Sequence, residues 1–145
     1  MSLTDPFNLQ RFVNAQARCY EQVCRELRAS RKSSHWMWFI FPQWIGLGQS
    51  PMANFYAIAS RREAAGYLAH AILGPRLIEC TGLVNIVEGR KVEKIFGHPD
   101  DLKFRSSMTL FTNVAADNTI FLTALEKYFD GKPDQRTLDL LNCGG

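Results

Sequence analysis

His35-Trp36-Met37-Trp38-Phe39-Ile40-Phe41-Pro42-Gln43-Trp44, HWMWFIFPQW, holds all three tryptophans of the chain and an unbroken apolar run from Trp36 to Phe41. A membrane span, a core element or the wall of a binding site can each absorb such a run. A spanning helix needs about 20 mostly apolar residues, and Pro42 closes this run far short of that, which removes the membrane reading. Aromatic and β-branched side chains favour an extended backbone, so at most a short extended or β segment is expected near residues 36–41. A run apolar on both sides needs cover on both sides, and the rest of the chain has to supply it.

Working outward, the chain has 145 residues, 46% apolar and 21% charged. That is the composition of one globular domain, here spanning residues 1–145, able to bury roughly two-thirds of its unfolded surface. The beginning MSLTDPFNLQ has neither the basic nor the apolar region of an export signal, so a cytoplasmic location is expected. Cys19, Cys24, Cys80 and Cys143 form no C-x-x-C pair and sit at no zinc-ligand spacing from a histidine. They are expected to be reduced thiols, with no metal site and no cofactor. The net charge of +3 is a weak guide to partners; neither a membrane nor nucleic acid is expected, and oligomeric state is left open.

Leu9, Phe12, Val13, Gln16, Tyr20, Val23, Cys24 and Leu27 recur at three- and four-residue steps, and Asp5-Pro6 supplies a capping carboxylate and a first-turn proline. One helix from about Pro6 to Ala29 is predicted. Gly46, Gly48 and Pro51 mark a loop whose glycines suit a hinge. Ser60-Arg61-Arg62-Glu63 has the spacing of a capping box and starts a helix to about His70. Gly74-Pro75 is expected to break the chain before a helical face from Leu77 to Val87. Val92–Phe96 reads as a short amphipathic piece and Pro99-Asp100-Asp101 as a helix start. Two further helices are expected, Asn118–Phe129 and Pro133–Leu141. The fold class is mainly α: six to eight helices and at most one short extended segment.

Three places can carry chemistry. The tryptophan segment is either core filling or a platform for a base, with Trp38 and Trp44 as stacking rings, Gln43 beside them, and His35 able to gain or lose a proton near neutral pH. Arg31 and Lys32, at the end of a basic run, either complement a helix C-terminus or bind phosphate. In GHPDDLKFRSSMTLF, Lys103, Arg105 and Ser106 decorate the start of a helix, a setting that favours an anionic group. The carboxylates to consider for hydrolysis are Glu63, Asp100 and Asp101, each of which also has a capping role.

The ordered motifs DPFNLQRFVNAQ, SSHWMWFIFPQWIGLGQSPMA, YAIASRREAAGYL, LGPRLIEC, IFGHPDDLKFRSSMTLF and GKPDQRTLDLL resemble a family of small bacterial proteins of unknown function, some of which carry the label calpastatin. That resemblance covers nearly the whole chain and implies a compact helical domain. FYAIASRREAAGYL, followed downstream by a helix rich in Lys, Arg and Met, also looks distantly like the NADAR family, helical proteins linked to ADP-ribose derivatives and N-glycosidic bond hydrolysis; Glu63 would match a glutamate of that family. The enzyme expectation is therefore an N-glycosidase acting on a phosphorylated ribosyl or ADP-ribose-like molecule. Arg31, Lys32, Lys103 or Arg105 would hold phosphate, Trp38 or Trp44 would stack on the base, and an acidic residue would activate water. The alternative is a ligand-binding or protein-interaction module without turnover.

Overall fold

The computed structural model describes residues 4–144; residues 1–3 and 145 of the expected domain lie outside the described residues. Ten helices run through it: α1 Gln10–Ala17, α2 Tyr20–Arg28, α3 Met37–Ile40, α4 Pro51–Phe55, α5 Arg61–Ala69, α6 Leu73–Asn85, α7 Val92–Phe96, α8 Asp100–Thr112, α9 Thr119–Phe129 and α10 Gln135–Gly144. The fold is mainly α, as the periodicities imply. The count exceeds eight because one predicted helix is two and because α3 and α4 form where loop or extended chain was expected.

The predicted helix 6–29 breaks at Arg18-Cys19, where Cys19 leaves helical geometry at φ −143°, ψ 2°. The break lets α1 pack on α3 while α2 packs on α6, so one apolar stripe serves two partners. Asp5 caps the start, its carboxylate accepting from the Leu9 and Gln10 amides at 2.8 and 3.0 Å. The far end of α2 closes in a Schellman motif. Ser30 takes φ 61°, the Ser30 amide donates to the Leu27 carbonyl, and the Arg31 amide donates to the Glu26 carbonyl, both at 3.0 Å.

Residues 37–40 are one helical turn, so the extended segment allowed at most for 36–41 does not form there. With no sheet among the described residues to pair against, a buried extended segment would leave its backbone donors and acceptors unpaired, whereas a helical turn satisfies them internally. The Ile40 amide bonds the Trp36 carbonyl at 3.2 Å and the Phe41 amide bonds that of Met37 at 3.1 Å. The only extended pairing among the described residues is an isolated parallel bridge, Trp44 to Ile58. Gly74-Pro75 also behaves differently from expectation, lying inside the first turn of α6, where proline loses no intrahelical bond. The preceding break is made instead by His70, whose Nδ1 accepts from the Ile72 and Leu73 amides. A side chain at position 74 would meet the Leu68 carbonyl oxygen at 2.1 Å, so that close approach requires glycine.

The core is aromatic. Trp36 is 1% exposed and lies 6.2 Å from Phe41 and 6.5 Å from Phe96, ring centre to ring centre; Phe41 meets Phe104 edge-on at 5.0 Å, and Phe96 stacks on Phe104 at 4.7 Å. This cluster joins α3, α7 and α8, with edge-to-face geometry that adds to simple area burial.

The indole N–H of Trp36 donates to Glu26 Oε1 at 2.9 Å. The same carboxylate, 4% exposed, accepts from the Ser33 and Ser34 amides, the Ser34 hydroxyl and Gln22 Nε2, so the loop after α2 is folded back onto that helix. Burial acts to raise the Glu26 pKa but is outweighed by the bonds from the Ser34 hydroxyl, Ser33 amide, Gln22 and Trp36, which bring it down to about 2. A folded-state pKa depressed below the unfolded value stabilises above the unfolded pKa near 4.5 and loses that contribution as pH falls through about 2. Glu26→Gln is expected to lower unfolding free energy at neutral pH by roughly 3 kcal/mol, and the gap to the parent should narrow between pH 4.5 and 2. Denaturant titrations across that range check it; a gap independent of pH contradicts the assignment.

Candidate functional site

Four of the residues singled out by sequence meet at one corner. The Schellman end of α2 delivers Lys32, whose amide donates to the Ile95 carbonyl at 2.6 Å. Lys32 Nζ lies 2.9 Å from Asp100 Oδ2, and Lys103 Nζ lies 3.5 Å from Asp100 Oδ1. The two ammonium groups thus bracket one carboxylate at the start of α8, where the helix dipole also favours negative charge. Each also stands near an indole. Lys103 Nζ is 5.5 Å from the ring centre of Trp38 and Lys32 Nζ is 5.2 Å from that of buried Trp36, within the range of cation–π attraction. Trp38 is half-buried, unlike its neighbours Met37 and Phe39, so one tryptophan of the run reaches the surface beside the Lys103 ammonium.

The other predicted residues lie elsewhere or are occupied. Glu63 is buried, bonded by Arg11 Nη2 at 2.8 Å and by the Ala59 amide at 2.9 Å. Ser60 Oγ accepts from the Glu63 amide at 3.0 Å, so the capping box forms with its carboxylate reaching one residue further back. Arg11 spends its remaining N–H groups on the carbonyls of Phe7, Asn8, Phe55 and Ala57. Asp101 is buried, 3.0 Å from His98 Nδ1. Trp44 is 4% exposed and packs in the core instead of facing a cleft. Gln43 is half-buried and gives its carbonyl to the Ile58 amide. His35 is exposed. Arg105 donates to the Lys132 carbonyl at 3.0 Å and lies over the Phe129 ring. Ser106 bonds Asp134, the residue that caps α10 through the Thr137 amide. These last two therefore hold α8 to the chain that leads into α10.

Arg31 lines a shallow cleft of about 440 Å³ with Gln22, Arg25 and Ser33. Next to it, sharing Gln22 and Arg25, is a cleft of about 510 Å³ at the α1–α2 break, lined by Arg18, Tyr20, Glu21 and Arg76 as well. Arg18, Tyr20 and Arg76 do not stand out in the sequence as site residues. Arg18 falls inside a predicted helix, and Arg76 comes from a segment read as the far side of a chain break. Burial, with a hydrogen bond to Glu79, pushes the Tyr20 phenol up. Burial also raises the Cys19 thiol, as does Glu26, while Arg76 acts to lower it. Cys80, buried behind Tyr20, is pushed up to about 12, chiefly by burial and then by Cys24. Among the described residues the four cysteines are free, and no group of three or more His, Cys, Asp and Glu side chains is placed to hold a metal ion. None of the described helices is long and apolar enough to cross a membrane.

No curated protein matches the chain. The crystal structure of a conserved hypothetical protein from Mycobacterium tuberculosis is similar at 59% identity and a TM-score of 0.94, over 95% of this chain and 99% of that one. The family described as "Protein of unknown function (DUF1810)" matches residues 6–141, and with that span and the helical fold in agreement, the chain belongs to the DUF1810 family.

Proposed function

We propose that this chain binds a phosphorylated, nucleotide-like small molecule at the corner formed by Lys32, Trp38, Asp100 and Lys103, without turning it over. The observation that carries the reading is the bracketing of one carboxylate by two ammonium groups beside a half-buried indole. The corner has one positive charge in excess. A ligand phosphate can take the place of Asp100 as the partner of Lys103, and the surface face of Trp38 offers a base a stacking platform worth roughly 1–3 kcal/mol. Turnover is not part of this reading because two of the three candidate carboxylates are committed: Glu63 to Arg11 and the Ala59 amide, Asp101 to His98.

A second reading, N-glycosidic bond hydrolysis, is favoured by the position of Asp100 alone. Its carboxylate shares Lys103 with Trp38, so a base stacked there would bring the ribosyl carbon near an acidic group. Asp100 would take a proton from water, the hydroxyl would add to C1′ as the C–N bond breaks, and the base would leave with the bonding pair and receive the proton that Asp100 gives up. The distant resemblance of FYAIASRREAAGYL to the NADAR family, read from the sequence alone, makes ADP-ribose the first ligand to test.

Thermal melting with ADP-ribose, nucleotides and sugar phosphates is expected to show stabilisation by at least one of them, about 2.7 kcal/mol at a hundredfold excess over Kd. Trp38→Ala and Lys103→Gln should each remove most of it; a ligand shift left intact in both variants rules out this corner. Chromatography of the same incubations is expected to show no free base. Base release by the parent that disappears in Asp100→Asn, with melting unchanged, replaces the binding reading with the hydrolytic one.

A further inference from the structure

We infer that the cleft at the α1–α2 break is a second site, for a small multivalent oxyanion of the pyrophosphate class, clamped by Arg18, Arg25 and Arg76. It is independent of the corner proposed above and shares no residue with it.

Three guanidinium groups line this cleft of about 510 Å³. Among the described residues, none of the three lies within 4.0 Å of a carboxylate oxygen. The nearby acids do not neutralise them. Glu21 lines the same cleft and stands four residues before Arg25, the spacing and order that best support a helical ion pair, yet Arg25 turns to its other neighbour. Its Nη2 and Nε donate to Gln22 Oε1 at 2.6 and 3.2 Å, which fixes the guanidinium on α2 while leaving its charge uncompensated. Glu79, across on α6, receives the Tyr20 hydroxyl.

Arg76 is the most strongly positioned of the three. Its guanidinium carbon lies 4.5 Å from the Tyr20 ring centre, and Nη1 is 3.5 Å from Gln16 Oε1. Gln16 is 1% exposed, and its amide nitrogen is tied to the Phe39 carbonyl at 2.7 Å and the Tyr67 hydroxyl at 3.0 Å. A buried polar group therefore aims Arg76 at the cleft before any ligand arrives. Like charges gathered without counter-charge repel one another, and guanidinium is the side chain whose fork of donors matches phosphoryl oxygens. The positive end of α2, nine residues long, opens at the same place and adds in the same sense. Three cations set against Glu21 in the lining and Glu79 behind Tyr20 leave the cleft net positive, and three guanidinium forks offer more donors than a single phosphate can use, which suits a diphosphate better than a monophosphate.

Calorimetric titration of the intact chain with inorganic pyrophosphate and with inorganic phosphate, at one fixed ionic strength, tests the site. Pyrophosphate is expected to bind, and more tightly than phosphate. Arg18→Gln and Arg25→Gln, both at exposed positions, should each weaken it by roughly tenfold, the loss of about one charge-assisted bond, while Lys132→Gln, an exposed cation ahead of α10, should leave it unchanged. Arg76→Lys keeps the charge and loses the planar stacking fork; weaker binding with an unchanged melting temperature supports the clamp. Absence of pyrophosphate binding at millimolar concentration overturns the inference, as does undiminished binding by the Arg18→Gln/Arg25→Gln double variant. A parallel titration with ADP-ribose separates the two sites. If that double variant weakens it and Trp38→Ala does not, the diphosphate of the larger ligand belongs in this cleft and the corner reading fails while this one stands.

Discussion

The carboxylate of Glu26 organises the half of the molecule that carries the candidate site. It is buried without a cation, and it is kept ionised by hydrogen-bond donors alone: two backbone amides, a serine hydroxyl, a glutamine amide and the Trp36 indole. A buried charge that lacks such partners is expensive, and several donors converging on one carboxylate make it tolerable. Those donors come from α2, the loop and the first residue of the aromatic run, so satisfying the carboxylate forces them together. Trp36 is thereby seated in the core, and Lys32, a few residues earlier, is delivered to Asp100.

Arg11 does the reverse on the opposite side of the aromatic run. One guanidinium collects four backbone carbonyls and the Glu63 carboxylate, holding the amino-terminal turn, the end of α4 and the start of α5. In a small domain with irregular connections, the buried Glu26 and the half-buried Arg11 do for loops what a sheet or a longer helix does elsewhere: they give backbone polar groups a partner. This assignment explains why Glu63, an attractive acid by sequence, is built into the frame.

Much of the carboxyl-terminal half was legible from sequence because its signals are local. Val92–Phe96 stops at Gly97, Asp100 and Asp101 open α8, and α9 ends near Asp130-Gly131, each set by a cap or a glycine within a few residues. The misread places depend on distant partners. The 18–19 break depends on α1 and α2 having different neighbours, and the helical turn at 37–40 on there being no strand among the described residues to pair with. Pro75 misleads because a helix start tolerates what a helix interior does not. Lys32, Asp100, Lys103 and Trp38, which meet at the proposed corner, were legible as candidates from residue type and position. The arginine cleft was not, since it unites residues 18, 25 and 76 across a break the periodicity hides.

The most direct test is an NMR pH titration of the unmodified protein, following the Glu26 side-chain carboxyl carbon together with the Trp36 indole proton and the Ser33 and Ser34 amide protons. All four signals should stay in place through the range where ordinary glutamates titrate, near 4.5, and move together only as pH approaches about 2. A Glu26 midpoint near 4.5, or indole and amide protons indifferent to its protonation, would contradict the account.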